Sequence, residues 1–199
     1  MKKEAPTSMW QDHYTRRAKK EHYPARSVYK LQEIQKKFNL IQKGNRVLDL
    51  GCAPGAWLLY AGEVTGPRGM VAGIDLKPVT LSLPAHVKAY VGDALAPEDP
   101  VFAKISGGFQ VVLSDMAPAT TGMKDVDALR SYQLCRAALD IAENRLISGG
   151  AFVCKIFQGE DFKVFTEAVQ SAFKQQKIFK PQSSRKASKE IYIIGMGKK

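Results

Sequence analysis

The residues able to do chemistry fall at the ends of apolar runs. Val47, Leu48 and Leu50 lead into Gly51-Cys52-Ala53-Pro54-Gly55, and an apolar segment follows from Ala56 to Ala61. That order reads as strand, glycine turn, helix. Glycines let a backbone approach a ligand closely, and the amides at a helix start favour negative groups. Later runs end in Asp75, Asp93 and Asp115. One aspartate at a strand end is commonly a helix cap, but three in successive units behind a glycine turn form a set. Asp75 lies 24 positions after Gly51, near the spacing at which an acid binds ribose hydroxyls.

The turn fits a dinucleotide fingerprint poorly. Position 53 is alanine, and Ala56-Trp57 follow Gly55. An acidic set with no basic residue in the turn suits a nucleoside cofactor without phosphates. S-adenosylmethionine, with its nucleoside, amino-acid tail and sulfonium, meets that description. Trp57 is placed to shape or cover the pocket, or else to pack as a core aromatic. A second feature is Lys155, which interrupts the apolar run Ala151 to Phe157. A buried lysine is costly unless it pairs or loses its proton. Asp115 closes the neighbouring strand, and Glu190 opens the final one.

These residues need elements to hold them. Val28, Leu31, Ile34 and Phe38 recur at helical spacing, with Lys30 beside that stripe. Strands are expected over residues 46–50, 70–76, 87–91, 109–113, 151–157, 177–179 and 190–196. Helices are expected from Ala56, over about 97–105, over 126–147 with Leu129, Leu134, Ala138 and Ile141 inward and Gly149-Gly150 ending it, and over 162–173. Alternating strands and helices predict an α/β fold with a mostly parallel sheet and helices on both faces. The chain divides into a basic, flexible or weakly helical segment over residues 1–22 and a single domain over residues 23–199.

Charge adds a partner. The net formal charge is +11, and it is concentrated. Residues 1–45 hold eleven Lys/Arg against four Asp/Glu, and residues 174–199 hold eight against one, whereas the middle is mildly acidic. Basic ends carrying Trp10, Tyr14, Tyr23 and Tyr29 among the cations suggest a polyanion, most simply nucleic acid. No apolar run is long enough to span a bilayer, and the N-terminus has no signal-like segment, so a cytoplasmic protein is expected. Three dispersed cysteines and three histidines suggest neither a disulfide framework nor a metal site.

The chain resembles the FtsJ/RrmJ-type ribosomal RNA 2′-O-ribose methyltransferases. The resemblance runs from Arg26-Ser27-Val28-Tyr29-Lys30-Leu31 through LDLGCAPGAW, the Gly-Asp at 92–93 and SDMAP at 114–118, to VCKIFQGE at 153–160 and SSRKASKEIY at 183–192. Several motifs in one order are far more specific than the glycine turn alone. One departure is Ala56, where the family pattern has a second glycine.

The resemblance implies a Rossmann-like class I fold with a seven-stranded sheet and S-adenosylmethionine as cofactor. It implies cofactor contacts at Gly55, Trp57, Asp75, Asp93 and Asp115, and a catalytic tetrad of Lys30, Asp115, Lys155 and Glu190, with no metal. It implies methylation of a uridine 2′-hydroxyl in large-subunit ribosomal RNA, in support of ribosome assembly; a monomer is the default expectation, on which the sequence itself is silent. It casts Lys155 as general base. A free lysine titrates near pH ~10.4, and lowering that by roughly 3 units takes about 4 kcal/mol. Burial and Lys30 act in that direction, whereas Asp115 and Glu190 act against it. The carboxylates therefore orient the lysine rather than activate it. Methylation of transfer RNA, a non-catalytic RNA-binding assembly factor and a nicotinamide oxidoreductase are the competing readings. The intact tetrad counts against the second and the turn against the third.

Overall fold

The structure is a computed structural model and describes residues 9–96, 98–185 and 187–199. Its elements are α1 (Met9–Lys20), α2 (Val28–Phe38), β1 (Arg46–Leu50), α3 (Ala56–Thr65), β2 (Met70–Asp75), β3 (Val87–Val91) and α4 (Val101–Lys104), followed by β4 (Phe109–Ser114), α5 (Lys124–Arg145), β5 (Leu146–Phe157), α6 (Phe162–Ala172), β6 (Phe173–Phe179) and β7 (Glu190–Lys198). The seven strands form one sheet in the order β3-β2-β1-β4-β5-β7-β6. Strands β1 to β5 pair in parallel, and β7 runs antiparallel between β5 and β6.

Side-chain alternation along these strands builds two cores. Leu48, Leu50, Val112, Phe152, Cys154 and Ile193 face α4, α5 and α6. Val47, Val111, Leu113, Val153, Tyr192 and Ile194 face α2 and α3. On α2, Leu31 and Ile34 fill the second core as their spacing predicts, and Phe38 packs at its margin. Asn39, in the left-handed region at φ 51, ends that helix by donating its amide to the Gln35 carbonyl.

Some sequence-based expectations need correction. Leu129 is 50 % exposed, not inward. The inner face of α5 is made by Ala128, Ser131, Cys135, Ala138, Leu139 and Ala142. Mostly small side chains at helical spacing let the helix lie close on the sheet, so its buried stripe carries little hydrophobic bulk to mark it. Leu134 and Ile141 are only half-buried. Gly149 and Gly150 do not end α5. It stops at Arg145, and both glycines lie in β5, beside a register shift where Phe109 pairs with Leu146 but Val111 with Ala151. Leu76 lies beyond β2 and is exposed. Strand β6 begins at Phe173, whose ring stacks on Phe152. Helix α4 is a single turn from Val101; Pro97, and residues 1–8 of the basic segment, lie outside the described residues, as does the side chain of Trp10. Among the described residues no helix is long and apolar enough to cross a membrane.

Candidate active site

The parallel strands β1, β2, β3 and β4 all deliver their carboxyl ends to one rim of the sheet. There, a cavity of about 310 Å³ opens against the glycine turn and the three strand-end aspartates. Gly51, Ala53, Asp75, Asp93, Asp115 and Met116 are among its lining residues. Gly51 adopts φ +75, and a Cβ added there would run into the Met116 side chain. Gly55, at φ +105, would bring a Cβ to 2.9 Å from Leu81 and 3.0 Å from Val79. These two glycines are therefore required by conformation and by space.

Each aspartate is fixed before any ligand arrives. Asp75 Oδ2 accepts the Ala53 amide at 2.9 Å and Oδ1 the Lys77 amide at 2.8 Å, tying the end of β2 to the glycine turn. Asp93 Oδ1 accepts the Leu95 amide at 2.8 Å, and the Asp93 amide donates to Asp99 at 2.8 Å. Both carboxylates keep lone pairs for donors in the cavity. Leu76 and Leu95 expose apolar surface at its edge.

Asp115 also belongs to a second group on the α2/α3 face of the sheet. Lys155 Nζ donates to the Asp115 carbonyl at 2.5 Å and lies 3.0 Å from Oδ1 of the same residue. Lys30 Nζ lies 2.9 Å from both carboxylate oxygens of Glu190. Both pairs are largely buried, with Lys155 7 % exposed and Lys30 11 %. The four residues named from the sequence therefore meet as two ion pairs. Lys155 and Tyr192 are cross-strand partners in the antiparallel β5–β7 pairing, and Glu190 shares the Tyr192 face two residues away. Two residues in a strand return a side chain to the same face, which is why Glu190 and not a neighbour reaches Lys30.

Tyr192 joins the pairs. Its hydroxyl donates to Asp115 Oδ1 at 2.6 Å, Trp57 stacks on its ring at 6.0 Å, and Lys30 Nζ lies 6.0 Å from the ring centre. Burial pushes the Asp115 carboxyl up, but the charges of Lys155 and Lys30 and the Tyr192 hydrogen bond outweigh it. The group stays below the ordinary aspartate range. Burial, followed by Asp115 and Glu190, drives the Tyr192 phenol far upward, so it remains a donor.

Gly55 and Trp57 do not line the large cavity. Trp57 is buried, donates its indole N–H to the Ser27 carbonyl at 2.9 Å, and lines a smaller space of about 50 Å³ between the turn and α2. Asp49 lines the same space. Its side chain is 1 % exposed, and its Oδ2 has no hydrogen-bond partner among the described residues. Burial, reinforced by Asp115 and Asp75, raises its carboxyl well above the usual range. Sequence reasoning passed over Asp49 and Tyr192. The signal for Asp49 was an acid inside an otherwise apolar strand, and for Tyr192 a polar tip two residues past Glu190.

The chemistry of this rim is acidic on the cavity side and paired-cationic beside it. Three carboxylates on a cavity, with a fourth orphaned behind, suit a ligand that brings hydroxyls and positive charge. They do not suit a pyrophosphate. A nucleoside sulfonium with an α-ammonium fits this donor set.

The profile of the FtsJ-like methyltransferase family matches residues 23–198. The chain is 58 % identical over 192 residues to the ribosomal RNA large subunit methyltransferase E of Desulforapulum autotrophicum, covering 96 % of this chain and 95 % of that one. It is 54 % identical over 188 residues to the protein of the same name from Desulfosudis oleivorans, covering 94 % and 91 %. Among solved structures, a Plasmodium falciparum protein described provisionally as a ribosomal RNA methyltransferase superposes with TM-score 0.77 at 25 % identity, over 88 % of this chain and 98 % of that one. Aeropyrum pernix fibrillarin with natively bound S-adenosyl-L-methionine shares the fold, with TM-score 0.58 at 19 % identity over 79 % and 68 %.

Proposed function

The chain belongs to the FtsJ-like methyltransferase family, and from that premise we propose that it methylates the ribose 2′-hydroxyl of a uridine in large-subunit ribosomal RNA, in support of ribosome assembly. The observation that carries the reading is the junction at Asp115. This one residue lines the cavity suited to a nucleoside sulfonium and is also bound by Lys155. A methyl donor and a base would meet there. A ribosomal RNA substrate in a bacterium implies action in the cytoplasm, and we take the enzyme to work as a monomer.

S-adenosylmethionine supplies an electrophilic methyl group on a positively charged sulfur. Asp75 and Asp93 would hold the ribose and base end, and the backbone of Gly51 to Gly55 would cradle the amino-acid end, with Trp57 buttressing that turn from behind. Asp115 and Tyr192 fix where the Lys155 Nζ points. The amine of Lys155 would accept the hydroxyl proton as the oxygen attacks. Lys30, anchored by Glu190, would hold the ribose oxygen or its neighbouring phosphate in line. Alignment of this kind contributes several kcal/mol.

The test is transfer of labelled methyl from S-adenosylmethionine to unmodified large ribosomal subunits, with the 2′-O-methyl sites mapped. One new modified uridine in the large-subunit RNA is expected. Modification confined to transfer RNA, or absence of transfer with cofactor bound, would overturn the assignment.

A further inference from the structure

The positive charge gathered at the two ends of the sequence goes to different places in the fold. Lys198 Nζ donates to the Glu143 carbonyl and, at 2.9 Å, to that of Leu146. Lys199 Nζ donates to the carbonyls of Gln170 and Ser171 at 3.2 and 2.7 Å. These carbonyls end α5 and α6, where helical partners run out and a cation is favoured. In the sheet, Lys198 pairs with Phe173, at the start of β6. That is the rim opposite the site. The two lysines serve helix ends.

The N-terminal charge is arranged differently. Helix α1 is docked on the domain. Ala18 is buried in a small cluster with Val28, Tyr29 and Ala56. The Tyr14 ring packs 5.3 Å from Tyr29, and the Arg17 guanidinium lies 4.5 Å over the same ring. Glu21 accepts from Arg17 at 2.7 Å and from the Tyr29 hydroxyl at 3.0 Å. Tyr29 is the neighbour of Lys30, so the helix is fastened beside the site. The outer side of α1 exposes His13, Arg16, Lys19 and Lys20, and a shallow concavity there is lined by His13, Arg16, Arg17, Lys20 and Glu21. Between α1 and the site sits Arg26, 5.8 Å over the Tyr14 ring and bonded to the Ser183 carbonyl at 2.8 Å. It is close enough to Arg185 and Glu190 to feel both charges.

We propose that α1 is a preformed RNA-binding helix. It is the outer anchor of a basic track that starts at Lys30 and passes Arg26 and Arg185, and it grips backbone phosphates of the strand flanking the target nucleotide. The opposite side of the site is lined by carboxylates, so a polyanion has one direction of approach. Twelve residues make a helix of ~18 Å, the length of about five stacked nucleotides at ~3.4 Å each. The inference rests on the ribosomal RNA reading above.

The test compares two double variants for binding to large ribosomal subunits across salt concentrations. Lys19→Ala with Lys20→Ala is expected to weaken binding roughly 5–25-fold at 0.1 M salt and to flatten the slope of log K against log salt by about 1.4. S-adenosylmethionine affinity and turnover at saturating RNA stay unchanged. Lys198→Ala with Lys199→Ala is expected to keep both affinity and slope while lowering Tm. Wild-type affinity and slope in the α1 variant would overturn the proposal, as would an equal loss from the opposite rim. Binding and transfer are read separately. Absence of transfer by the wild type refutes the function, whereas unchanged binding of the α1 variant refutes this inference alone.

Discussion

Replacing Lys155 with methionine separates the chemical role of this lysine from its structural one. Methionine keeps the length and apolar stem but removes the amine. Lys155 Nζ makes two contacts to Asp115, at 2.5 and 3.0 Å, in a site where the lysine is 7 % exposed. Removing one member of a buried pair costs about 3–5 kcal/mol. Asp115 keeps its 2.6 Å bond from Tyr192 and the field of Lys30, which puts the expected loss near the lower end, about 3 kcal/mol. For a chain of this length that lowers Tm by roughly 6–12 °C. Loss of a general base should cut turnover by about 10²–10⁴, equivalent to about 2.7–5.4 kcal/mol of barrier. Cofactor affinity should stay near normal, since Lys155 does not line the cavity. Adding Asp115→Asn removes the stranded carboxylate, so the double variant should regain most of the lost Tm and none of the activity. Single-turnover methyl transfer, calorimetric cofactor binding and thermal melts read the three quantities. Near-normal turnover in Lys155→Met with cofactor bound would refute the base assignment. A double variant no more stable than the single would refute the account of the pair.

Three further outcomes are expected. Asp49→Asn should stabilise the cofactor-free enzyme. The wild-type carboxyl is held up by burial, so its favourable contribution is complete below about pH 3.9 and is lost as pH rises towards its folded value. Melts from pH 4 to 8 should therefore show a gain that grows with pH. Gly51→Ala should lower Tm and cofactor affinity together. The left-handed backbone at φ +75 costs an alanine about 1–2 kcal/mol before its Cβ meets Met116, and melts with calorimetry check both. Asp75→Ala frees the Ala53 and Lys77 amides and removes the proposed ribose acceptor, so calorimetry should show cofactor binding weaker by at least about tenfold, with RNA binding retained.

Much of the fold was legible because its strands are apolar runs stopped by glycine or aspartate. Residues 46–50 and 87–91 form strands with the expected bounds. The four residues that meet as two ion pairs were picked out by the order of several motifs, and the sheet shows why those motifs sit where they do. Lys155 and Glu190 are 35 positions apart in sequence but adjacent in space, because β7 reverses direction beside β5. What stayed hidden depends on pairing. The Tyr192 hydroxyl gains its meaning only once register puts it against Asp115, and no local pattern predicts register across a strand inserted out of order. The inner face of α5 was hidden for another reason, since alanine, serine and cysteine can be buried as fully as leucine without a hydrophobic signature. The lysines at 198 and 199 look like any basic tail until the carbonyls they serve are known.

The inserted position of β7 has a consequence for synthesis. Strands β5 and β6 cannot pair with each other in this sheet, because β7 lies between them. While a ribosome is still making the segment before residue 190, the nascent chain carries Lys155 on a strand that has β4 along one edge and nothing yet along the other, and Lys30 lacks the Glu190 carboxylate. Lys30 and Glu190 are 160 residues apart, and their contact closes only after nearly the whole domain has emerged. A chain cut before residue 190 therefore holds every residue that lines the cavity yet lacks Glu190 and Tyr192, the partners of Lys30 and Asp115.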